Sequence, residues 1–87
     1  MDKCALITGA TRGIGKQIAI TLAKQGYNIA LNYRKENEEL ENTKKEIEKI
    51  GVQILAVKGD VANFEDCENF VKQVIERFGQ IDVLVNN

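Results

Sequence analysis

The sequence predicts an α/β fold in which helices cover a parallel β-sheet, and three observations support this prediction. Short apolar segments alternate with longer segments of helical periodicity. Each helical segment is followed by a glycine, the residue typical of helix C-termini. A glycine-rich turn, "TGATRGIG" at residues 8–15, connects the first strand to the first helix. The resulting βαβαβαβ order is typical of a parallel sheet with right-handed crossovers.

The apolar pattern places the elements in order along the chain. Strands are predicted at residues 3–8, 27–33, 52–58 and 81–85, each of them rich in apolar side chains. The first helix is predicted at residues 14–25, where Ile14, Ile18 and Leu22 share one face. Ala19 and Ala23 lie beside that face, and their small side chains allow close approach to the sheet.

Two further helices complete the pattern. The second, at residues 36–50, is charged except for one narrow buried stripe, which indicates a helix covered by solvent on its other sides. Its stripe consists of Leu40, Thr43, Ile47 and Ile50. The third helix is expected to be capped by the Asn63 side chain and to end at residue 78. Its predicted core face consists of Cys67, Phe70, Val71, Val74, Ile75 and Phe78.

Composition narrows the class of function. The formal net charge of −1 argues against nucleic acid or an anionic membrane as an obligate partner. Neither a bilayer-spanning run nor a signal peptide is present, so we expect a cytoplasmic protein. The chain has no histidine, which excludes Ser-His-Asp and Cys-His mechanisms within it, and no metal site is expected. Cys4 and Cys67 are interpreted as small buried hydrophobic side chains.

The glycine-rich turn predicts a diphosphate site. Glycines let a chain turn tightly and bring backbone N–H groups close to an anion at a helix N-terminus. The P-loop pattern fails, since it would place its first glycine at Ala10 and its hydroxyl at Gln17. The Gly-x-Gly-x-x-Gly pattern fails at Ile18. The pattern that fits is Thr-Gly-x-x-x-Gly-x-Gly, matched by Thr8, Gly9, Gly13 and Gly15.

That spacing resembles the cofactor loop of the short-chain dehydrogenase/reductase family. Two further segments resemble the family at the expected places: Asp60-Val61 follows the third strand, and Asn86-Asn87 ends the fourth. The resemblance covers the whole chain and implies the N-terminal half of a Rossmann-like, doubly wound parallel sheet with strand order 3-2-1-4. It also implies that residues 1–87 are one portion of a single NAD(P)-binding domain, in which the acid contacts adenine.

The end of the second strand indicates which nicotinamide cofactor binds. NAD-binding proteins of this kind place an acid there, whereas this strand ends in Tyr33, Arg34 and Lys35. Arg12 can reach the same region, and two arginines suit a planar phosphate, so we expect NADP(H) in preference to NAD(H). Alternatively, these cations are solvated charges at the start of a polar helix. The expected cofactor-binding residues are Gly9, Thr11, Arg12, Gly13, Ile14, Gly15, Tyr33, Arg34, Asp60, Val61 and Asn86.

The catalytic residues of the family cannot be assigned to this chain. The family uses Ser, Tyr and Lys, the last two as Tyr-x-x-x-Lys, but Leu31 and Asn37 follow Tyr27 and Tyr33 at that spacing. Within the family, the segments look most like bacterial 3-oxoacyl-[acyl-carrier-protein] reductases. The resemblance therefore implies the N-terminal part of an NADPH-dependent carbonyl reductase, commonly a tetramer, with a substrate carried on acyl carrier protein. The 87 residues alone are expected to be inactive.

Two other interpretations remain open from the sequence. One is a self-standing dinucleotide-binding half-domain without catalysis. The other is a different activity: a short-chain dehydrogenase for a sugar, steroid or other alcohol, or another α/β nucleotide or signalling module that shares the loop. As an isolated monomer, the chain would leave the edge of the fourth strand unpaired and the apolar faces of the first and third helices without cover. The half-domain could cover that edge by forming a dimer through the fourth strand.

Overall fold

A computed structural model of the chain describes residues 2–9 and 13–86, and it contains every predicted element. The strands are β1 (Cys4–Thr8), β2 (Asn28–Tyr33), β3 (Ile54–Lys58) and β4 (Val83–Val85). The helices are α1 (Gly13–Lys24), α2 (Glu38–Ile50) and α3 (Phe64–Phe78). The observed ends differ from the predicted ends by two residues at most. In this part of the chain, no helix has the length and apolar character needed to cross a membrane.

The four strands form one parallel sheet in the order β3-β2-β1-β4, as predicted. β1 lies in the middle, where Leu6 aligns with Ala30 of β2 and with Leu84 of β4. Every residue of β1 is buried, as expected for a central parallel strand covered on both faces. Because all strands run in the same direction, their carboxyl ends meet at one edge of the sheet, which we call the carboxyl edge.

Two apolar clusters cover the two faces of the sheet. On one face, Ile7 and Leu31 pack with α1 and α2 through Ala19, Leu40 and Ile47. On the other face, the core residues are Cys4, Leu6, Ala30, Val57, Phe70 and Val74, the last two from α3. The doubly wound arrangement follows directly from this division of the apolar side chains between two faces.

The buried face of α1 differs from the predicted one. Ile14 is 74% exposed, while Gly15, Ala19 and Ala23 are the buried residues of this helix. Ile18 and Leu22 are partly buried at the margin of the core. Small residues therefore form the contact with the sheet, which brings the α1 backbone close to the strands, and the prediction that Ile14 belongs to the apolar face is wrong.

The start of α2 also corrects the prediction. The helix begins at Glu38, because Asn37 is extended and its Oδ1 accepts a hydrogen bond from the Leu40 amide at 2.8 Å. This is an N-cap, a position for which Asn is well suited. The predicted stripe is confirmed, with Leu40, Thr43 and Ile47 buried. The predicted cap of α3 is confirmed as well, since Asn63 accepts from the Asp66 amide at 3.0 Å.

Part of the predicted core face of α3 is exposed. Phe70 and Val74 are buried, but Val71 and Ile75 are 44% and 43% exposed. Leu84 of the edge strand β4 is 66% exposed. These three side chains have the periodicity of buried residues, but none of the described residues covers them. The predicted lack of cover over α3 and β4 therefore agrees with the structure.

The two cysteines occupy different environments. Cys4 is fully buried in β1, as predicted, and its burial, reinforced by the nearby Asp82 carboxylate, raises the pKa of its thiol to about 11. Cys67 is only partly buried, so the prediction for it is wrong. Its thiol lies on the first turn of α3 and donates to the Val61 carbonyl oxygen at 3.0 Å.

A carboxylate joins β1 to the segment before β4 at the opposite, amino edge of the sheet. Asp82 Oδ2 accepts from the Cys4 amide at 2.8 Å and from Gln80 Nε2 at 2.7 Å. The Asp82 amide in turn donates to the Cys4 carbonyl oxygen at 2.8 Å. The hydrogen bonds that the carboxylate accepts, from the Cys4 amide first and then from Gln80, hold the pKa of the Asp82 carboxyl below its usual value. Ionised Asp82 therefore fixes the register of β4 against β1.

We predict that replacing Asp82 by Asn destabilises the fold in a pH-dependent way. A carboxyl whose pKa is lowered by folding stabilises the native state above its unfolded pKa and ceases to do so as pH falls through the folded pKa. The urea midpoint of Asp82→Asn should therefore lie below that of the wild type at neutral pH, with the difference shrinking below about pH 4. Asp2→Asn, at an exposed aspartate outside the sheet, is the control. An Asp82→Asn deficit that is independent of pH would contradict this explanation.

We also predict that one thiol per chain reacts with a disulfide reagent under native conditions. The reactive species is the thiolate. Cys67→Ser should abolish the native reaction, whereas Cys4→Ser should leave it unchanged and remove the second equivalent that appears in denaturant. Rapid native labelling of Cys67→Ser would show that Cys4 is accessible, against the burial described above.

Candidate functional site

The candidate site lies at the carboxyl edge, where the loops after β1, β2 and β3 and the end of β4 converge. Thr8 ends β1, and its hydroxyl donates to Asn86 Oδ1 at 3.2 Å. This contact joins the first and last strands across 78 positions of sequence. Asn87, predicted beside it, lies outside the described residues. The structure thus brings the beginning of the glycine-rich turn and Asn86 together.

The described glycines of the turn show why side chains are excluded there. Gly9 and Gly13 have φ angles of +63° and +64°, in the left-handed region that other residues rarely adopt. Gly13 is the first residue of α1, and Gly15 is buried against the sheet. Ile14 points outward beside them. Thr11 and Arg12, also predicted to bind the cofactor, lie outside the described residues.

The N-terminus of α1 is suited to an anion. The first turn of this helix contains no acidic residue, whereas α2 and α3 both begin with acids. Its unsatisfied N–H groups and partial positive charge are therefore not offset by a carboxylate of the same turn. The turn of positive-φ glycines and this helix start together can accommodate a diphosphate group.

Asp60 is held in a tight turn after β3. Its amide donates to Asp66 Oδ2 at 2.9 Å, and its own Oδ1 accepts from the Ala62 amide at 2.9 Å. Its carbonyl oxygen accepts from the Asn63 amide at 2.9 Å. A Cβ on the preceding Gly59 would lie 3.3 Å from Asp66 Cβ, so glycine permits this close approach. The turn leaves Asp60 Oδ2 directed toward the end of β2.

An ion pair joins Asp60 to the end of β2. Arg34 Nη2 lies 3.7 Å from Asp60 Oδ2, and the two side chains are 77% and 42% exposed. Sequence reasoning assigned these residues to two different parts of a dinucleotide, and it did not foresee that they contact each other. Exposed pairs of this kind contribute little to stability, so the guanidinium can exchange partners at low cost.

Tyr33 precedes Arg34 at the end of β2, and its side chain packs against the apolar cluster beneath α1 and α2. Its hydroxyl donates to Glu36 Oε1 at 3.4 Å. Partial burial and then the Glu36 carboxylate raise the pKa of Tyr33, so it is a neutral hydrogen-bond donor at physiological pH. Lys35 is exposed next to Arg34. The end of β2 therefore presents two cations and a phenol.

Asn32 is a site residue that the sequence analysis missed. It is 5% exposed; its Oδ1 accepts from the Gly9 amide at 3.1 Å and its Nδ2 donates to the Gly59 carbonyl oxygen at 3.2 Å. The signal available in the sequence was a carboxamide between Leu31 and Tyr33, near the end of a largely apolar strand. Asn32 also lines a small pocket between β3 and α3, together with Gly59, Asp60 and Val61.

The arrangement can bind an anionic nucleotide, but its described residues contain no Tyr-x-x-x-Lys pair for catalysis. No cluster of three or more His, Cys, Asp or Glu residues suited to a metal ion occurs in residues 2–9 and 13–86. The positive-φ glycines and the acid-free helix start fit a diphosphate, and the Asp60 turn and pocket provide polar and apolar surface beside it. The exposed arginine adds a second anion-binding group at the same edge.

Comparisons with known proteins agree with this geometry. Residues 3–87 match the family model described as short chain dehydrogenase. The chain is 45% identical over all 87 residues to a 3-oxoacyl-[acyl-carrier-protein] reductase of Staphylococcus epidermidis, of which it covers 36%. It therefore spans about a third of the length of the curated relatives it matches.

Solved structures show the same similarity. A crystal structure of an actinorhodin polyketide ketoreductase with NADPH superposes with a TM-score of 0.90 and 43% identity, over 99% of this chain and 33% of that protein. A crystal structure of acetoin dehydrogenase from Enterobacter cloacae superposes with a TM-score of 0.89 and 33% identity, over 100% of this chain and 34% of that protein.

Proposed function

The chain belongs to the short-chain dehydrogenase family, and from that premise we propose that it binds the adenosine and diphosphate portion of NADP(H). The observation that carries the proposal is the convergence of three groups at one edge of the sheet. These are the positive-φ glycines before α1, the Asp60 turn after β3, and the cations after β2. Diphosphate, adenine and a ribose phosphate would occupy them in that order.

The diphosphate would lie against the N-terminus of α1. Gly9 and Gly13 let the backbone approach the anion without a Cβ between them. The acid-free first turn supplies N–H donors and the positive end of the helix dipole. The exposed Ile14 side chain at this helix start would provide apolar contact beside the diphosphate.

The adenine would lie beside Asp60 and Val61. The Asp60 carboxylate is held by the Ala62 amide, so it can accept a hydrogen bond from the exocyclic amine of adenine without first becoming ordered. Val61 is 43% exposed and provides apolar surface for the ring. A polar acceptor beside an apolar surface suits a purine base.

The 2′-phosphate of NADP(H) would be bound by Arg34. No acid occupies the end of β2, where a carboxylate would repel that phosphate, and Arg34 and Lys35 present positive charge. Arg34 contacts Asp60, so phosphate binding would replace an exposed carboxylate partner by a dianion with more acceptors. The relative solved with NADPH supports this choice of cofactor.

The protein that contains this chain would reduce a carbonyl group. A bound NADPH would supply the hydride for the carbonyl carbon, while the carbonyl oxygen would take a proton, giving an alcohol and NADP⁺. The 45% identical relative supports a 3-oxoacyl group on acyl carrier protein as the substrate. The proton donor would come from residues beyond these 87, since Tyr-x-x-x-Lys does not occur among them. We propose a homo-oligomer, such as a tetramer, in the cytoplasm.

A second substrate class is a small diffusible ketone, as the similarity to an acetoin dehydrogenase suggests. Its identity of 33% is lower than the 45% of the acyl carrier protein enzyme, which makes it the weaker candidate. The two classes differ in the carrier and not in the hydride transfer. Comparing a 3-oxoacyl thioester with acetoin under the same NADPH oxidation assay would separate them.

We predict that Arg34→Ala lowers the preference for NADPH. A charge-assisted hydrogen bond contributes roughly 1.5–3 kcal/mol, and an exposed site lies at the low end of that range, so the Kd for NADPH should rise about tenfold. The Kd for NADH should change by less than about twofold, since NADH has no 2′-phosphate. Arg77→Ala is the matched control, because Arg77 is an exposed arginine that contacts Gln53 at the amino edge. An unchanged NADPH preference in Arg34→Ala would contradict the assignment.

We further predict that the isolated 87 residues do not oxidise NADPH with any ketone, whereas the gene product that contains them does so with a 3-oxoacyl thioester if it includes Tyr-x-x-x-Lys. The measurement is the loss of NADPH absorbance at matched molar concentrations. Turnover by the 87-residue chain alone would contradict the proposed division between cofactor binding and catalysis.

A further inference from the structure

The Asn32 side chain connects the two loops to which the proposed function assigns the cofactor. Its two hydrogen bonds join Gly9, at the start of the glycine-rich turn, to Gly59, the residue before Asp60. Asn32 belongs to β2, the strand between β1 and β3, where it aligns with Thr8 on one side and Val57 on the other. Its carboxamide thus spans the carboxyl edge of three strands.

At both ends of this bridge, Asn32 bonds a backbone group whose position strand pairing alone does not fix. Gly9 follows the last residue of β1 and turns with positive φ, so ordinary strand pairing does not extend beyond it. Gly59 donates its own amide to the Tyr33 carbonyl oxygen at 2.9 Å, and Asn32 holds its carbonyl oxygen as well. With both polar groups bonded, Gly59 places the Asp60 turn at a fixed position relative to β2.

Burial makes the two hydrogen bonds of Asn32 costly to lose, and the shape of the carboxamide directs one of them to each loop. Asn32 is 5% exposed, so water is a poor replacement for its carboxamide when that group is removed. A carboxamide has a donor and an acceptor on the same carbon, and here each is used on a different loop. A shorter hydroxyl cannot span the two partners in the same way, and an apolar side chain bonds neither of them.

Strand β2 contains a second buried asparagine with which Asn32 can be compared. Asn28, 8% exposed, begins the strand, and its Oδ1 accepts from the Gln53 amide at 3.0 Å. It joins β2 to the segment before β3 at the amino edge, away from the candidate site. The same residue type, on the same strand and at similar burial, therefore stabilises opposite edges of the sheet.

We propose that Asn32 is a positioning residue that sets the distance between the diphosphate loop and the Asp60 turn. This inference rests on the proposed function and adds to it a residue that touches neither the 2′-phosphate nor the reacting carbonyl. Because the bridge acts on both loops, its loss misplaces the diphosphate and adenine sites together. NADPH and NADH share these two groups, so both cofactors are affected equally.

The test compares Asn32→Leu with Asn28→Leu in the gene product that contains these residues. Leucine has the same branching as asparagine and removes only the hydrogen-bonding groups. Dissociation constants for NADPH and NADH are measured by calorimetry, and urea midpoints confirm that both variants are folded. We expect both midpoints to fall, since each variant removes part-buried hydrogen bonds from backbone groups.

Only Asn32→Leu should weaken cofactor binding. We expect the dissociation constants for NADPH and NADH to rise together by about tenfold, with their ratio constant within about twofold, because the two hydrogen bonds that order both loops are lost. Asn28→Leu should stay within about twofold of the wild type for both cofactors. If Asn32 had only a structural role, both variants would lose stability but would bind the cofactors with similar affinity.

Three results would overturn the inference: wild-type affinity in Asn32→Leu, equal weakening in the two variants, or loss of NADPH affinity alone. If Asn32→Leu does not fold, the pair Asn32→Ser and Asn28→Ser is measured with the same expected separation, and equal affinities in that pair overturn the inference. If the wild type binds neither cofactor, the proposed function fails, and the inference fails with it. The wild-type measurement thus distinguishes the two failures.

Discussion

The candidate site depends on the parallel pairing of β1 with β2 on one side and β4 on the other. This pairing puts Thr8, Asn32 and Asn86 at one edge, although they are far apart in sequence. α1 can pack close to β1 because its buried residues, Gly15, Ala19 and Ala23, are small. If β1 shifted by one residue against β2, its side chains would exchange faces and the two apolar clusters would no longer form.

Electrostatics divides the molecule into two edges with different roles. At the amino edge, ionised Asp82 accepts hydrogen bonds from the Cys4 amide and Gln80, which satisfies its charge locally. At the carboxyl edge, α1 begins without an acid, and Arg34 is paired with the exposed carboxylate of Asp60. The Asp82 carboxylate at the amino edge is used in hydrogen bonds that hold the strands together. The Arg34 guanidinium at the carboxyl edge can change partner when an anion binds.

Sequence reasoning predicted the features that follow from repeating or local patterns. It missed the contacts between residues that are far apart in the sequence. The alternation of strands and helices and the Asn63 cap followed from periodicity and local capping chemistry, whereas the strand order was implied by the family resemblance. Ile14 and Ile75 were assigned to the core because periodicity shows a face but not whether another element covers it. The Asn32 bridge and the Arg34–Asp60 contact were missed, since each joins loops that only the folded sheet brings together.

The most direct test of the central claim is a titration of the ¹⁵N-labelled gene product with adenosine 2′,5′-bisphosphate, followed by amide chemical shifts. This fragment of the cofactor carries the adenine and the 2′-phosphate but no nicotinamide. The account predicts saturable shifts at Gly9, Gly13, Arg34 and Asp60, with Gln53 and Asp82 unchanged. Shifts confined to the amino edge, or none at millimolar ligand, would contradict the assignment of the carboxyl edge as a dinucleotide site.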